Sequence, residues 1–281
     1  MTAQTPPTLA LPRYETLDMS TLDKLPMELL PALFMEAFTG KHDTTLKAMV
    51  AAWPFPCLPV GALMKTPDLE TFQAVLAGVD MWLPRKFHPR CLMTPLETLS
   101  ITYCFISQSN LNYFSEYPKF FQLKHLDMKG VVLEALDLMP LRVLLENLAD
   151  TLQSLDMKCC RMKDSQLTVL IPALSKCSQL ANVSFYGNDF SMHILRNLLQ
   201  HTANLSKMNV EQYPAPIECY DEFGDVSTER FVQLCAEQID RLRAIRQPKC
   251  ISFATHMCPR CGDCCVYGEG FQLCLCQQWQ Q

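Results

Sequence analysis

The apolar positions between residues 96 and 210 follow one recurring order, Leu-x-x-Leu-x-Leu-x-x-Asn/Cys-x-Leu. Leu96, Leu99, Ile101, Cys104 and Ile106 fit it, as do Leu152, Leu155, Met157, Cys160 and Met162, and Leu180, Val183, Phe185, Asn188 and Phe190. Leu123, Leu126, Met128 and Leu133 keep the order with Val131 at the Asn/Cys position, and Leu205, Met208 and Val210 open a fifth copy that has neither. Copies start 27, 29, 28 and 25 residues apart, and Leu-Asp-Met-Lys recurs in the same phase at 126–129 and 155–158. One such unit is a short strand, a turn and a return helix. It cannot bury its apolar face alone, so copies stack and share a core. The Asn or Cys bonds backbone groups where the chain bends away after the strand. Return helices follow with stripes Leu141/Leu144/Leu145/Leu148, Leu167/Leu170/Ile171/Leu174 and Ile194/Leu195/Leu198/Leu199; Asp164 with Ser165, and Ser191, are the expected caps of the last two. The fold this predicts is an α/β leucine-rich repeat solenoid, a short curved parallel sheet with return helices, over residues 91–215.

The flanks lack the period. Residues 1–90 read as a disordered start followed by a helical unit. Pro26 stands in the first turn of an apolar-striped helix (Leu29, Leu30, Leu33, Phe34, Ala37, Phe38), Asp43 and Thr44 open a second helix, and Thr66-Pro67 opens a third. Residues 216–281 read as a capping helix, started by Asp225 or Ser227 and carrying Phe231, Leu234, Cys235, Ile239 and Leu242, then a Cys-rich tail. Both helical flanks would cover the open ends of the stack.

In the repeats, the side chains between the core positions point to the other face of the sheet. They include Tyr103; His125, Asp127 and Lys129; Asp156 and Lys158; Ser184 and Tyr186; Asn209 and Glu211. Asp127 and Asp156 fall in one column, Lys129 and Lys158 in another. Tyr103 and Tyr186 suit interface anchors, since Tyr is enriched at binding hot spots. A protein-binding face is the functional reading, and a solvated face of paired charges the plain one.

Composition narrows the chemistry. The 281 residues carry 24 Lys plus Arg against 29 Asp plus Glu, a formal charge of −5. No long basic run breaks that balance, which argues against nucleic-acid backbone binding. With 9 Gly and no GxGxxG or GxxxxGK[ST], the phosphate-cradling loops are absent. No hydrolase elbow, HExxH helix or kinase motif set appears, so the expectation is a protein that is not an enzyme. No apolar run is long enough to cross a bilayer, and the polar, proline-bearing start does not read as a signal peptide. The 15 cysteines are then expected as free thiols. Seven crowd the last thirty-two residues, where Cys258-Pro-Arg-Cys261-Gly has the shape of a zinc knuckle and Cys274 with Cys276 would supply a second pair. Free thiols are preferred there, with Cys258, Cys261, Cys274 and Cys276 the set zinc would use and His256 or Cys264 able to substitute in the second pair, whose spacing is one residue rather than two. Two LxxLL strings, Leu141–Leu145 and Leu195–Leu199, have the shape of helices that dock in grooves, but their leucines coincide with repeat-core positions.

The stretch Leu25 to Val79, the repeats from Leu141 to Tyr213 with Lys207-Met-Asn-Val-Glu-Gln-Tyr-Pro-Ala-Pro, and Ile251-Ser-Phe-Ala-Thr before Cys258-Pro-x-Cys-Gly together resemble the PRAME family, leucine-rich repeat proteins named for the preferentially expressed antigen in melanoma. The resemblance implies a substrate-recognition subunit of a cullin-2 RING ubiquitin ligase, with repression of transcription, including retinoic-acid receptor signalling, and effects on proliferation, differentiation and apoptosis. It implies residence in cytoplasm and nucleus, and contact with cullin-2 and elongin subunits through the N-terminal part, here the helix bearing Leu25, Pro26, Leu29, Leu30, Leu33 and Phe34. The runner-up reading is a corepressor that meets a nuclear receptor directly through the LxxLL helices. Family members are usually longer; here Arg90-Cys91 joins the helical unit almost directly to the first repeat.

Overall fold

The computed structural model describes residues 29–51, 57–58, 69–82, 97–103, 105–116 and 122–278. They fall into two compact units, the first drawn from 1–54 and 70–93, the second from 55–69 and 94–281.

The first unit is helical: α1 (Leu30–Thr39), α2 (Asp43–Ala51) and α3 (Leu69–Trp82). Its apolar stripes face inward, with Leu30, Leu33, Phe34 and Ala37 of α1, Leu46, Met49 and Val50 of α2, and Ala74 and Val75 of α3 all buried. Gly78 lets α3 approach α2. A Cβ there would lie 2.6 Å from Val50 Cβ and 2.7 Å from the Lys47 carbonyl oxygen. Pro31 occupies the first turn of α1. Leu25 and Pro26 lie outside the described residues.

The second unit is mixed α/β around one nine-stranded sheet whose strands neighbour each other in chain order. Its parallel strands are β1 (Cys57–Leu58), β2 (Thr98–Ser100), β3 (His125–Asp127), β4 (Ser154–Asp156), β5 (Asn182–Ser184), β6 (Val210–Pro214) and β7 (Cys250–Ala254). Helices α4 (Gln108–Glu116), α5 (Met139–Asn147), α6 (Asp164–Leu174), α7 (Met192–Thr202) and α8 (Thr228–Arg243) stand between successive strands from β2 onward and pack in that order. An antiparallel hairpin, β8 (Val266–Tyr267) and β9 (Phe271–Gln272), and the short α9 (Leu275–Gln278) complete it. This architecture is compatible with a leucine-rich-repeat type of α/β fold.

The repeat leucines explain the register. Leu99 pairs with Leu126, Leu126 with Leu155 and Leu155 with Val183; all four are buried. Ile101, Met128, Met157 and Phe185 make a second buried row two residues on. Asn188 does in its turn what the pattern requires. Its Nδ2 donates to the Met157 and Phe185 carbonyls at 2.9 and 2.8 Å, and its Oδ1 accepts from the Met162 N–H at 3.0 Å. Cys160 Sγ likewise donates to the Met128 carbonyl at 3.1 Å. The position before the turn residue is left-handed in the four rungs from β2 to β5: Tyr103, Gly130, Cys159 and Gly187, with φ of 52, 72, 58 and 69°.

Four expectations need correction. The fifth copy is three residues out of phase, because Val183 pairs with Glu211 and not with Met208. Glu211 therefore stands in the leucine row, fully buried, and Tyr213 in the row behind it. The carboxylate is tolerated there because Arg246 Nη2 and Tyr213 Oη donate to its Oε2 at 2.5 and 2.9 Å. Second, Asp164 does not cap its own helix; its Oδ1 accepts from the Ser191 N–H at 2.8 Å and ties one return helix to the start of the next. Gln166 Oε1 accepts from the Lys163 N–H at that end of α6 instead. Ser191 and Ser227 do cap α7 and α8. Third, β1 arises from a stretch read as purely helical. Fourth, β7 adds a parallel rung after α8, with Ile251 and Phe253 continuing the two buried rows.

Candidate functional site

Successive strands bring the face residues of the second unit into straight columns. One runs Thr98, His125, Ser154, Asn182, Val210 and Cys250; the next Ser100, Asp127, Asp156, Ser184, Gln212 and Ser252. Asp127 and Asp156 are thus neighbours, as the recurring Leu-Asp-Met-Lys implied. Each carboxylate accepts from the backbone N–H two residues on, Asp127 Oδ1 from Lys129 at 3.1 Å and Asp156 Oδ1 from Lys158 at 2.9 Å, and Ser100 Oγ donates to Asp127 Oδ2 at 3.1 Å. Burial holds the Asp156 carboxyl above the usual carboxylate range. The negative charge of Asp127 adds to this, while the Lys158 N–H and the charges of Lys129 and Lys158 oppose it.

The two lysines lie over aromatic rings. Lys129 Nζ is 5.4 Å from the centre of the Tyr103 ring and Lys158 Nζ 5.6 Å from that of Tyr186, both within cation–π range. Contact with Tyr103 raises the Lys129 pKa. The Tyr103 ring also covers Gly130, where a Cβ would come within 2.5 Å of it, so the glycine is needed for space as well as for its positive φ. Tyr186 Oη and Ser252 Oγ share a hydrogen bond of 2.5 Å across to β7. Tyr103 and Phe105 stand 64 and 63% exposed at the β2 end. Such solvent-facing aromatics beside ordered charge suit contact with another macromolecule more than chemistry.

The remaining expected residues divide. His125 is half-buried in its column, and Ser184 is buried. Asn209 is exposed but precedes β6; the place expected for it, beside Ser184, belongs to Gln212. Glu211 faces the core and leaves the exposed face altogether. In α1, Leu29 is half-buried and Leu30, Leu33 and Phe34 are buried, leaving Ala32, Met35 and Glu36 exposed. The LxxLL leucines, Leu141, Leu144 and Leu145 and then Leu195, Leu198 and Leu199, are all buried in the second unit. A receptor groove would need them exposed, so docking through these strings is not supported.

The tail gathers three of the four candidate ligands. The Sγ atoms of Cys258, Cys261 and Cys276 lie within 4.8 Å of one another. Cys274 is not among them: it is buried, and its N–H donates to Cys265 Sγ at 3.4 Å. Backbone N–H groups of Asp263 and Cys276 hold the Cys261 thiol down at about 6, and its bond with Cys261 pushes Cys276 up to about 11. Among the described residues, no helix is long and apolar enough to cross a membrane.

Fold and face together define a protein of repeated α/β units with an ordered polar and aromatic sheet face. Residues 69–276 match the family model of the PRAME C-terminal domain, and residues 7–100 that of the PRAME N-terminal domain. The chain belongs to the PRAME family. It is 30% identical to PRAME family member 12 of Homo sapiens over 473 residues, covering 98% of each protein. That alignment is much longer than this chain, so the relative has a long stretch without counterpart here. The chain is also 44% identical to preferentially expressed antigen in melanoma-like protein 7 of Mus musculus over 191 residues, 67% of this chain and 40% of that protein. With Oogenesin-2 of Mus musculus it shares 46% over 186 residues, 66% of this chain and 39% of the relative.

Proposed function

We propose that this chain is a noncatalytic recognition subunit: the sheet face of its second unit holds a protein target, and its helical unit attaches it to a cullin-2 RING ubiquitin ligase through cullin-2 and elongin subunits. The observation that carries the first half is the ordering of Asp127, Asp156, Lys129 and Lys158 by backbone hydrogen bonds and by the Tyr103 and Tyr186 rings. Ordered side chains lose less entropy on binding than free ones. The mechanism is proximity: a target held beside a ubiquitin-loaded enzyme experiences a raised effective concentration, and the chain itself performs no chemistry. Degradation of the target would give the negative regulation of transcription and the effects on proliferation, differentiation and apoptosis expected of the family, in cytoplasm and nucleus.

Leu30, Leu33 and Phe34 are consumed by packing, so the ligase contact falls on the exposed side of α1, at Ala32, Met35 and Glu36, together with the preceding Leu25 and Pro26. Affinity purification of the intact chain from cells tests the reading. Cullin-2 and elongin subunits should co-purify, and Met35→Glu should reduce their recovery without lowering the thermal midpoint. If neither subunit is ever recovered with the intact chain, the ligase reading fails. The target half is tested separately by Tyr103→Ser combined with Lys129→Glu. That variant should keep the ligase subunits and lose the proteins that proximity labelling finds around the parent chain.

A further inference from the structure

We propose that Cys258, Cys261 and Cys276 form a zinc site that staples the C-terminal tail to itself. The three thiols come from two segments, yet their Sγ atoms share one 4.8 Å neighbourhood. Around a tetrahedral zinc, with Zn–S of about 2.3 Å, thiolate sulfurs sit about 3.8 Å apart, so the ion would draw them together by a small movement.

The loop between the first two is already shaped for a thiolate pair. The Cys258 N–H donates to the Asp263 carbonyl at 2.7 Å and the Gly262 N–H to the Cys258 carbonyl at 2.8 Å. Gly262 turns at φ +71° with nothing within 4 Å of the place a Cβ would take, so its need is conformational and not one of space. That turn aims the Asp263 N–H back at Cys261 Sγ, and the Cys276 N–H reaches the same sulfur from the other segment. Backbone donors converging on one sulfur are what a metal-bound thiolate requires to offset its charge.

The tail has a second reason to need an ion. Between His256 and Cys276 only Cys265 and Cys274 are buried, and β8 and β9 contribute two residues each. So small a hairpin supplies little core, and segments of this kind are held by disulfides or metals. Three soft thiolates favour zinc among common divalent ions. The Cys-x-Cys pair divides its labour: Cys276 faces the ion and Cys274 the core beside Cys265. Three protein ligands leave the fourth corner to a water.

The test uses the full chain, purified under reduction. Elemental analysis should give one zinc per chain, and exchange with cobalt should give the visible absorption and sulfur-to-cobalt charge-transfer bands of a tetrahedral thiolate site. Cys258→Ser, Cys261→Ser and Cys276→Ser should each lose the metal, while Cys250→Ser on β7 should keep it. Removing the ion with a chelator should open residues 256–276 to protease and spare the earlier strands. A folded, reduced chain without stoichiometric metal, or a cobalt form without charge-transfer bands, overturns the proposal even if the serine variants fail to fold. Loss of the metal in Cys274→Ser as well would overturn the three-thiolate arrangement.

Discussion

Strands β3 and β4 and strands β5 and β6 make the same parallel step, yet they fill the same interior place by opposite means. Leu126 stacks on Leu155, two apolar groups that need nothing else. Val183 stacks on Glu211, which is equally buried but survives only through Tyr213 and Arg246. The first solution is local and tolerant. The second depends on a residue 35 positions away, three residues past the end of α8, and so fastens the segment that leaves that helix to the sheet. Burying the Glu211 carboxylate also acts on its neighbour, since loss of water and the nearby negative charge push the Tyr213 phenol well up. A rung that is merely packed can be swapped; a rung that carries a charge is committed to its partner.

The largest effect should come from separating that pair. Arg246→Ala leaves the Glu211 carboxylate buried without its cation, and breaking one side of a buried pair costs about 3–5 kcal/mol. Equilibrium urea unfolding should show it. Replacing all three polar partners, Glu211→Leu with Arg246→Met and Tyr213→Phe, turns this rung into a copy of the β3–β4 step without stranding the Tyr213 hydroxyl. It should return most of the loss, because apolar substitutes of similar volume are often neutral or better. If the triple variant is as unstable as the single one, the two solutions are not equivalent.

This contrast also marks what could be read from sequence. Leu99, Leu126, Leu155 and Val183 were legible because an apolar residue announces its burial by type. Glu211 announced the opposite, and the nearest apolar residues, Met208 and Val210, offered a false phase three residues early. The signal that could have corrected it was Tyr213, which continues the row of Met157 and Phe185. Strand β1 was illegible for another reason: two residues between prolines carry no period. On the site, Asp127 and Asp156 were legible from the recurrence of Leu-Asp-Met-Lys. The lysine–tyrosine contacts were not, because Tyr103 and Lys129 share no local pattern. In the tail, Cys-x-x-Cys was plain, but no spacing rule says that Cys276 turns toward it and Cys274 away.

A middle-sized effect separates the turns. Asn188 closes its turn with three buried hydrogen bonds, whereas the equivalent residue of the second repeat is Val131, which has no side-chain polar atom to give. Asn188→Val makes the two turns alike and strands the Met162 N–H and the Met157 and Phe185 carbonyls. Leaving such groups unsatisfied costs about 1–3 kcal/mol apiece; partial relaxation should hold the observed loss near 2–3 kcal/mol. Hydrogen exchange gives the sharper check: the Met162 amide should lose protection while that of Val131 is unchanged. Equal loss at both would show that the turns are coupled and not independent rungs.

The smallest expected effect compares the two aspartates of the exposed face. Both accept a hydrogen bond from the backbone two residues on, and the Asp156 pKa is raised, first by burial and then by the charge of Asp127. A carboxyl whose folded pKa lies above its unfolded value works against folding when ionised. The penalty is present above the folded pKa, shrinks as pH falls through it, and is gone below the unfolded value of about 3.9. Asp156→Asn keeps the acceptor for the Lys158 N–H and removes the charge, so the variant should be slightly more stable than the parent at pH 7. Because the group is partly exposed, solvent screening keeps the gain small. The difference between variant and parent should close as pH is lowered toward 4, read from paired thermal midpoints across that window. Asp127→Asn should show no such gain, since its carboxylate also accepts from Ser100 Oγ and an amide nitrogen there would leave that hydroxyl without its acceptor. A gain at Asp127 equal to that at Asp156 would mean that repulsion between the pair, shared by both, outweighs the burial of Asp156.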